Sequence, residues 1–274
     1  MTVWEALILG IVQGVTEFLP ISSSGHLVIV QNWMGIGEGA FTFDAVIHFG
    51  SLLAVMVALR QELWLMLKGL FGGQRQEAKA GRRLIALVFF GTVPLVVVGL
   101  TLRDAVDRTF TSVYVSAFML YLTGALLWFA ERYPRPEQRA ASGTLPVSLK
   151  HSLWMGMSQA MAVLPGLSRS GVTIATGMLA GLSRESAARF SFLLSIPAIL
   201  GASLLELRTV LRAELSPVIG NEALLAGTLA AGISSYLAIA ILLRFLKQGS
   251  LIGFAYYTWV LATVVLAISY FGQG

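Results

Sequence analysis

The chain has 274 residues, of which 56% are hydrophobic and only 12% are charged, and its formal net charge is +5. An average soluble domain carries about 25% charged residues, so this composition excludes an ordinary soluble protein and predicts a multi-pass membrane protein. The positive charge is spread over the segments between apolar runs, which does not favour nucleic-acid binding. The absence of cysteine excludes disulfides, thiolate metal sites and a cysteine nucleophile.

Polar residues first interrupt the apolar sequence between two short stretches, 6–19 and 27–37. Gln13 and Glu17 are four residues apart and therefore lie on one face of a predicted helix. We expect this helix to end near Pro20, because the residue before a proline is pushed out of the helical region. The predicted turn contains Ser22, Ser23, Ser24 and Gly25, and His26 would open the returning helix.

Four later apolar runs have the length of about 20 residues that crosses a membrane, namely 84–102, 112–130, 223–243 and 248–272. Two further predicted spans are interrupted by polar residues or proline. The span 41–60 contains Asp44 and His48, and the span 190–205 contains Pro197. Whether His48 joins a functional site is left open by the sequence.

A second interrupted segment, formed by the stretches 152–165 and 170–183, repeats the polar pattern of the first. At one constant offset the following residues of the first segment match those of the second: Gln13 and Gln159, Ser22 and Ser168, Ser24 and Ser170, Gly25 and Gly171. Arg169 stands where the first segment has Ser23. Both segments are too short or too polar to cross a membrane alone, so each is predicted to be a re-entrant helix hairpin.

The resulting order is a hairpin, three spans, a hairpin and three spans. Because three is odd, we predict an all-α integral membrane protein with an inverted-topology repeat, each half one re-entrant helix hairpin plus three transmembrane helices. Residues 1–274 form one membrane domain, with a first repeat over 1–131, a cytoplasmic linker over 132–150 and an inverted second repeat over 151–274. Lys and Arg crowd 69–83 and 131–150, which places these segments in the cytoplasm and the first hairpin's mouth outside.

The two turns combine the groups that bind phosphate. Backbone amides and hydroxyls at a helix N-terminus form an anion site, and the planar guanidinium of Arg169 suits phosphate. If the two turns meet, a nucleophile or base (His26 or Ser23) and the carboxylate of Glu17 would lie beside a phosphate bound there. A structural interpretation competes for each residue: serines can satisfy turn backbone, and Arg169 can simply pair with Glu17. All of these being structural together is disfavoured, because the membrane penalises each ionisable group.

These residues resemble two motifs of one family. The segment from Gln13 to His26 resembles the first motif of the undecaprenyl-pyrophosphate phosphatases, also called bacitracin-resistance proteins. The segment from Pro165 to Thr173 is similar to their second motif. The resemblance covers essentially the whole chain in length and span pattern. This chain departs from the first motif at Gln13, where many members have glutamate, and so it lacks one possible carboxylate ligand for a metal.

The resemblance implies removal of one phosphate from undecaprenyl diphosphate, which recycles the lipid carrier of cell-wall synthesis and confers bacitracin resistance. It implies a divalent cation, Mg²⁺ or Ca²⁺, with Glu17 as its ligand. The implied location is the bacterial plasma (inner) membrane, in contact with lipid, with the active site on the outer, periplasmic side. The residues carried over are the catalytic set Glu17, Ser23, His26, Arg169 and Thr173, and the substrate-binding set Gln13, Ser22, Ser24, Gly25, Ser168, Ser170 and Gly171.

Several points stay open in the sequence. Attack on phosphorus can come from His26, from Ser23 with His26 as base, or from water, and a homodimer is neither required nor excluded. The alternative function is a lipid-phosphate transporter or flippase, since inverted repeats with broken helices are also the architecture of carriers.

Overall fold

The computed structural model describes residues 1–36, 40–102, 113–133, 145–212 and 219–271. Within these ranges every regular element is an α-helix, and there is no strand. The eleven helices are α1 (Val3–Phe18), α2 (Ser23–Trp33), α3 (Ala40–Ala58), α4 (Arg60–Phe71), α5 (Arg75–Thr101), α6 (Val113–Arg132), α7 (Leu149–Met161), α8 (Arg169–Leu179), α9 (Arg184–Arg212), α10 (Asn221–Phe245) and α11 (Ile252–Phe271). Most of the predicted linker, residues 134–144, lies outside the described ranges.

The helices confirm a multi-pass membrane protein. Among the described residues, α5, α6, α9, α10 and α11 are long and apolar enough to cross a membrane. A sixth span results if α3 and α4, which are bent by 77° at Leu59, are counted as one.

Two helix boundaries differ from the sequence prediction. Helices α5 and α9 begin at Arg75 and Arg184, well before the predicted apolar spans, because their first turns carry charged residues that a hydropathy pattern leaves out. Helix α4 was not predicted at all, since its residues mix charged and apolar side chains.

The first of two compact units comprises residues 1–19, 23–58 and 195–242. Helix α1 packs against α2 and α3, and glycines let it approach α10 closely. A Cβ atom on Gly10 would overlap the carbonyl oxygen of Gly227, and one on Gly14 would overlap the hydroxyl of Ser234. Close approach through small residues is typical of membrane helices, where dispersion contacts replace the hydrophobic effect.

The second unit comprises residues 20–22, 59–194 and 243–274. In it α5 packs against α4 and α7, α6 packs against α8 and α11, and α7 packs against α8. Helices α5 and α7 meet backbone to backbone, because a Cβ atom on Gly156 would overlap the carbonyl oxygen of Gly91. One turn earlier, the buried hydroxyl of Ser152 donates to the carbonyl oxygen of Leu87 at 2.5 Å.

A buried carboxylate joins three helix ends in this second unit. The side chain of Glu131, at the end of α6, is 5% exposed and accepts a two-pronged hydrogen bond from the guanidinium of Arg184, at the start of α9. It also accepts the backbone N–H of Leu251, which precedes α11, at 3.2 Å. Glu131 pairs with the guanidinium of Arg184 and with the backbone N–H of Leu251, so removal of its carboxylate leaves both groups without this acceptor.

We expect Glu131→Ala to destabilise the protein by about 3 kcal/mol, because removing one partner of a buried ion pair strands the other. The control is Glu77→Ala, which removes an exposed partner of Lys68 (Nζ–Oε1 3.0 Å, with the Glu77 side chain 42% exposed). That change should cost below about 1 kcal/mol. Thermal unfolding of both variants in detergent measures the difference, and equal losses would contradict a special role for Glu131.

Candidate active site

Glu17 lies on the last turn of α1, in the first unit, and is 7% exposed. The amide Nε2 of Gln13, one turn earlier on the same helix, donates to Glu17 Oε2 at 3.0 Å. The four-residue spacing therefore places the two side chains on one face, as the sequence predicts. Gln13 is fully buried, so this hydrogen bond is shielded from solvent.

Two further side chains converge on the same carboxylate oxygen. The hydroxyl of Ser23 donates to Glu17 Oε2 at 2.6 Å, and Nε2 of His48 lies 3.7 Å from that oxygen. The opposite ring nitrogen of His48, Nδ1, is 2.6 Å from the carbonyl oxygen of Asp44, which can only accept a hydrogen bond and so fixes the orientation of the ring. His48 therefore lies in the Glu17 cluster.

The first turn is shorter than the sequence predicts. Helix α1 ends at Phe18, and α2 already begins at Ser23, so Ser23, Ser24, Gly25 and His26 belong to a helix rather than to a turn. The reversal is made instead by Ser22, which has φ of +67° and is buried. A left-handed backbone costs a non-glycine residue roughly 1–2 kcal/mol. Ser24 is exposed, whereas Gly25 and His26 are half-buried.

The second cluster surrounds the start of α8, in the second unit. Ser168 is the N-cap, and its hydroxyl accepts the backbone N–H of Gly171 at 3.1 Å and lies 3.2 Å from the hydroxyl of Ser170. The backbone N–H of Ser168 donates to the hydroxyl of Thr123 on α6 at 3.1 Å. Arg169 is the first residue of the helix and is half-buried. A guanidinium at a helix N-terminus is a site for an anion.

The hydroxyl of Thr173 forms hydrogen bonds that stabilise the start of α8. This hydroxyl is fully buried, donates to the carbonyl oxygen of Arg169 at 2.7 Å and lies 2.6 Å from the hydroxyl of Ser191 on α9. Neither Ser191 nor Thr123 is predicted from the sequence. Both are polar residues on otherwise apolar helices, and that pattern is the signal that points to them.

The Glu17 cluster offers oxygen donors that suit a hard cation. Besides the carboxylate, Oε1 of Gln13 is buried and has no hydrogen-bond partner among the described residues. The described residues contain no group of three or more His, Cys, Asp and Glu able to hold a metal. Mg²⁺ typically keeps waters and takes one or two protein carboxylates plus substrate phosphates, so this sparse donor set fits a cation that substrate helps to hold.

Comparison with known proteins agrees with the motifs. The family described as bacitracin resistance protein BacA matches residues 6–264. An undecaprenyl-diphosphatase of Carboxydothermus hydrogenoformans is 38% identical over 274 residues, covering 100% of both chains. Undecaprenyl-diphosphatases of Methanobrevibacter smithii and Desulfosudis oleivorans are each 42% identical over 278 residues, covering 97% and 96% of this chain and 97% of their own. This chain therefore belongs to the BacA family of bacitracin resistance proteins.

Proposed function

We propose that this protein hydrolyses undecaprenyl diphosphate to undecaprenyl phosphate and thereby recycles the lipid carrier of cell-wall synthesis and confers bacitracin resistance. Relatives that cover the whole chain carry the name undecaprenyl-diphosphatase. The observation that carries the proposal is the buried carboxylate of Glu17, which accepts the hydroxyl of Ser23 at 2.6 Å. Phosphoryl transfer depends on these groups, because it requires positioning and charge neutralisation.

We assign the anchoring of the diphosphate to the second cluster. Arg169 supplies a planar fork of donors that matches two phosphate oxygens. Ser168, Ser170 and Gly171 shape the helix N-terminus behind it, and Thr173 holds the first turn of α8 in place. These groups stabilise negative charge on the phosphates as the bond to the leaving group breaks.

We assign the reacting groups to the first cluster. Ser23 is the nucleophile that a contact supports, because its hydroxyl already donates its proton to Glu17. As the serine oxygen attacks the terminal phosphorus, that proton can pass to the Glu17 carboxylate, and the prenyl phosphate departs. Nε2 of His48 lies 3.7 Å from the same carboxylate oxygen. We assign His26, in the first turn of α2 with Ser23, as the base that activates water for release of the phosphate.

A divalent cation, Mg²⁺ or Ca²⁺, would be held by Glu17 and by Oε1 of Gln13. When bound, it would neutralise charge on the diphosphate and polarise a phosphate oxygen. Gln13 contributes a neutral oxygen where the family motif often has a carboxylate, so affinity for the cation rests mainly on Glu17.

We also propose that both broken segments are re-entrant hairpins of an inverted repeat and that the site opens to the outer face of the plasma membrane. The distribution of Lys and Arg supports this orientation, because they concentrate in segments that the positive-inside rule assigns to the cytoplasm. A lipid diphosphate released outside would then be processed without first crossing the membrane.

The protein purified in detergent should release inorganic phosphate from undecaprenyl diphosphate, a condition under which transport cannot occur. Arg169→Lys should lower turnover by on the order of 100-fold although the charge is kept, because an ammonium cannot form two parallel hydrogen bonds. Arg82→Lys, at an exposed position of α5, is the control and should retain full activity. Binding of the lipid without phosphate release by the unaltered protein would instead favour a carrier.

Glu17→Gln should lower turnover, because an amide cannot accept the proton of Ser23. For the activity that remains, it should raise the concentration of Mg²⁺ or Ca²⁺ needed for half-maximal phosphate release, because it removes the negative charge that attracts the cation. Glu5→Gln makes the same change at the exposed start of the same helix and should leave the metal titration unchanged. A loss of activity in Glu17→Gln that no cation concentration alters would show that Glu17 acts in proton transfer alone.

The orientation can be tested with single cysteines, since the chain has none of its own. Ser24 and Gln74 are both exposed, at the first turn of α2 and at the N-cap of α5. A thiol reagent that does not cross membranes should label Ser24→Cys on intact spheroplasts and should label Gln74→Cys only after the membrane is opened. The opposite labelling pattern would place the site on the cytoplasmic side.

A further inference from the structure

Gln159 is a buried amide without a protein partner. Its side chain is 1% exposed, and among the described residues neither Oε1 nor Nε2 has a hydrogen-bond partner. Buried polar groups in native proteins are almost always paired, because an unpaired one keeps the full cost of losing water. An amide without a partner among the described residues is a candidate for contact with a ligand.

The packing of the second hairpin shows where this amide lies. Met155, one turn earlier on α7, packs against α8, since a Cβ atom on Gly177 would be 3.0 Å from the Sδ atom of Met155. Residues four apart share a helix face, so Gln159 belongs to the α8-facing stripe. The short connection from α7 to α8 makes the two packed helices antiparallel, which brings Gln159 to the level of Thr173.

Thr173 is one turn after Arg169, the first residue of α8, so this level lies one turn from the guanidinium and the helix N-terminus. Both favour negative charge nearby. By this helix register the amide of Gln159 lies about one turn from a helix end that favours anions.

The first hairpin shows what the same residue does when an acceptor is present. Gln13, the residue that matches Gln159 in the repeat, donates its Nε2 to Glu17 one turn later. In the second hairpin the residue one turn after Gln159 is Val163, which has no side-chain acceptor. The donor is retained while the carboxylate is lost, so none of the described residues supplies the acceptor that Gln13 has.

We propose that Gln159 is a further substrate-binding residue that donates an amide N–H to a phosphate oxygen of the diphosphate headgroup. The inference rests on the proposed function and adds one ligand to it. Ionised phosphate oxygens only accept hydrogen bonds, and the Nε2 group offers two donors. The amide has no partner among the described residues, and the phosphate oxygen would pair it in the complex, so the gain from pairing appears as substrate affinity.

The test is Gln159→Met, which keeps the length of the side chain and removes the amide. Two purified samples, the variant and the unaltered protein, are compared by thermal unfolding in detergent and by steady-state phosphate release from a short-chain prenyl diphosphate. We expect a melting temperature equal to or above that of the unaltered protein, together with a KM raised about tenfold or more, as for a lost hydrogen bond to a charged group. The turnover number should change far less than KM.

Met155→Leu, on the same stripe of α7, is the control and should leave KM unchanged. A third measurement is the rise in melting temperature caused by inorganic diphosphate, which should shrink in Gln159→Met. A Gln159→Met variant that is less stable, or that does not fold, would show that the amide has a structural partner and would overturn the inference; so would an unchanged KM. Failure of the proposed function would look different, since the unaltered protein would then release no phosphate.

Discussion

The constraint on which this structure depends is that an apolar chain must satisfy every polar backbone group at the points where its helices stop. In hydrocarbon no water is available to do this, so side chains at the breaks must supply the hydrogen bonds. Ser168 shows the solution in detail: its hydroxyl takes the free N–H of Gly171, and its own N–H is taken by Thr123. The serines that make the breaks tolerable are also the groups that leave an oriented helix N-terminus available to an anion.

The buried charge of Glu17 is likewise stabilised by hydrogen bonds from neighbouring side chains. One oxygen receives the amide of Gln13 and the hydroxyl of Ser23, with the ring of His48 close by. Charge-assisted hydrogen bonds of this kind are stronger than neutral ones, and they let a nearly buried carboxylate persist. The cluster is therefore stable in the free protein and already holds the serine in contact with a base.

Part of this arrangement could be predicted from the sequence. The Gln13–Glu17 pair follows from helical spacing, and the end of α1 follows from Pro20, because both depend on local rules. His48, Thr123 and Ser191 could not be assigned, because their contacts depend on which helices pack together, and local spacing rules do not give that. Helix α4 could not be predicted, because charged residues interrupt its apolar side chains and neither proline nor glycine marks the bend at Leu59.

The backbone of Ser22 has a consequence for how this region can change in evolution. Its left-handed conformation is tolerated by glycine and by asparagine or aspartate, but it disfavours β-branched residues. Threonine carries the same hydroxyl group, yet its branched Cβ conflicts with this φ angle. Codon changes that exchange serine for threonine, which are usually conservative, are therefore costly at position 22, while loss of the hydroxyl to glycine is the change that the backbone accepts.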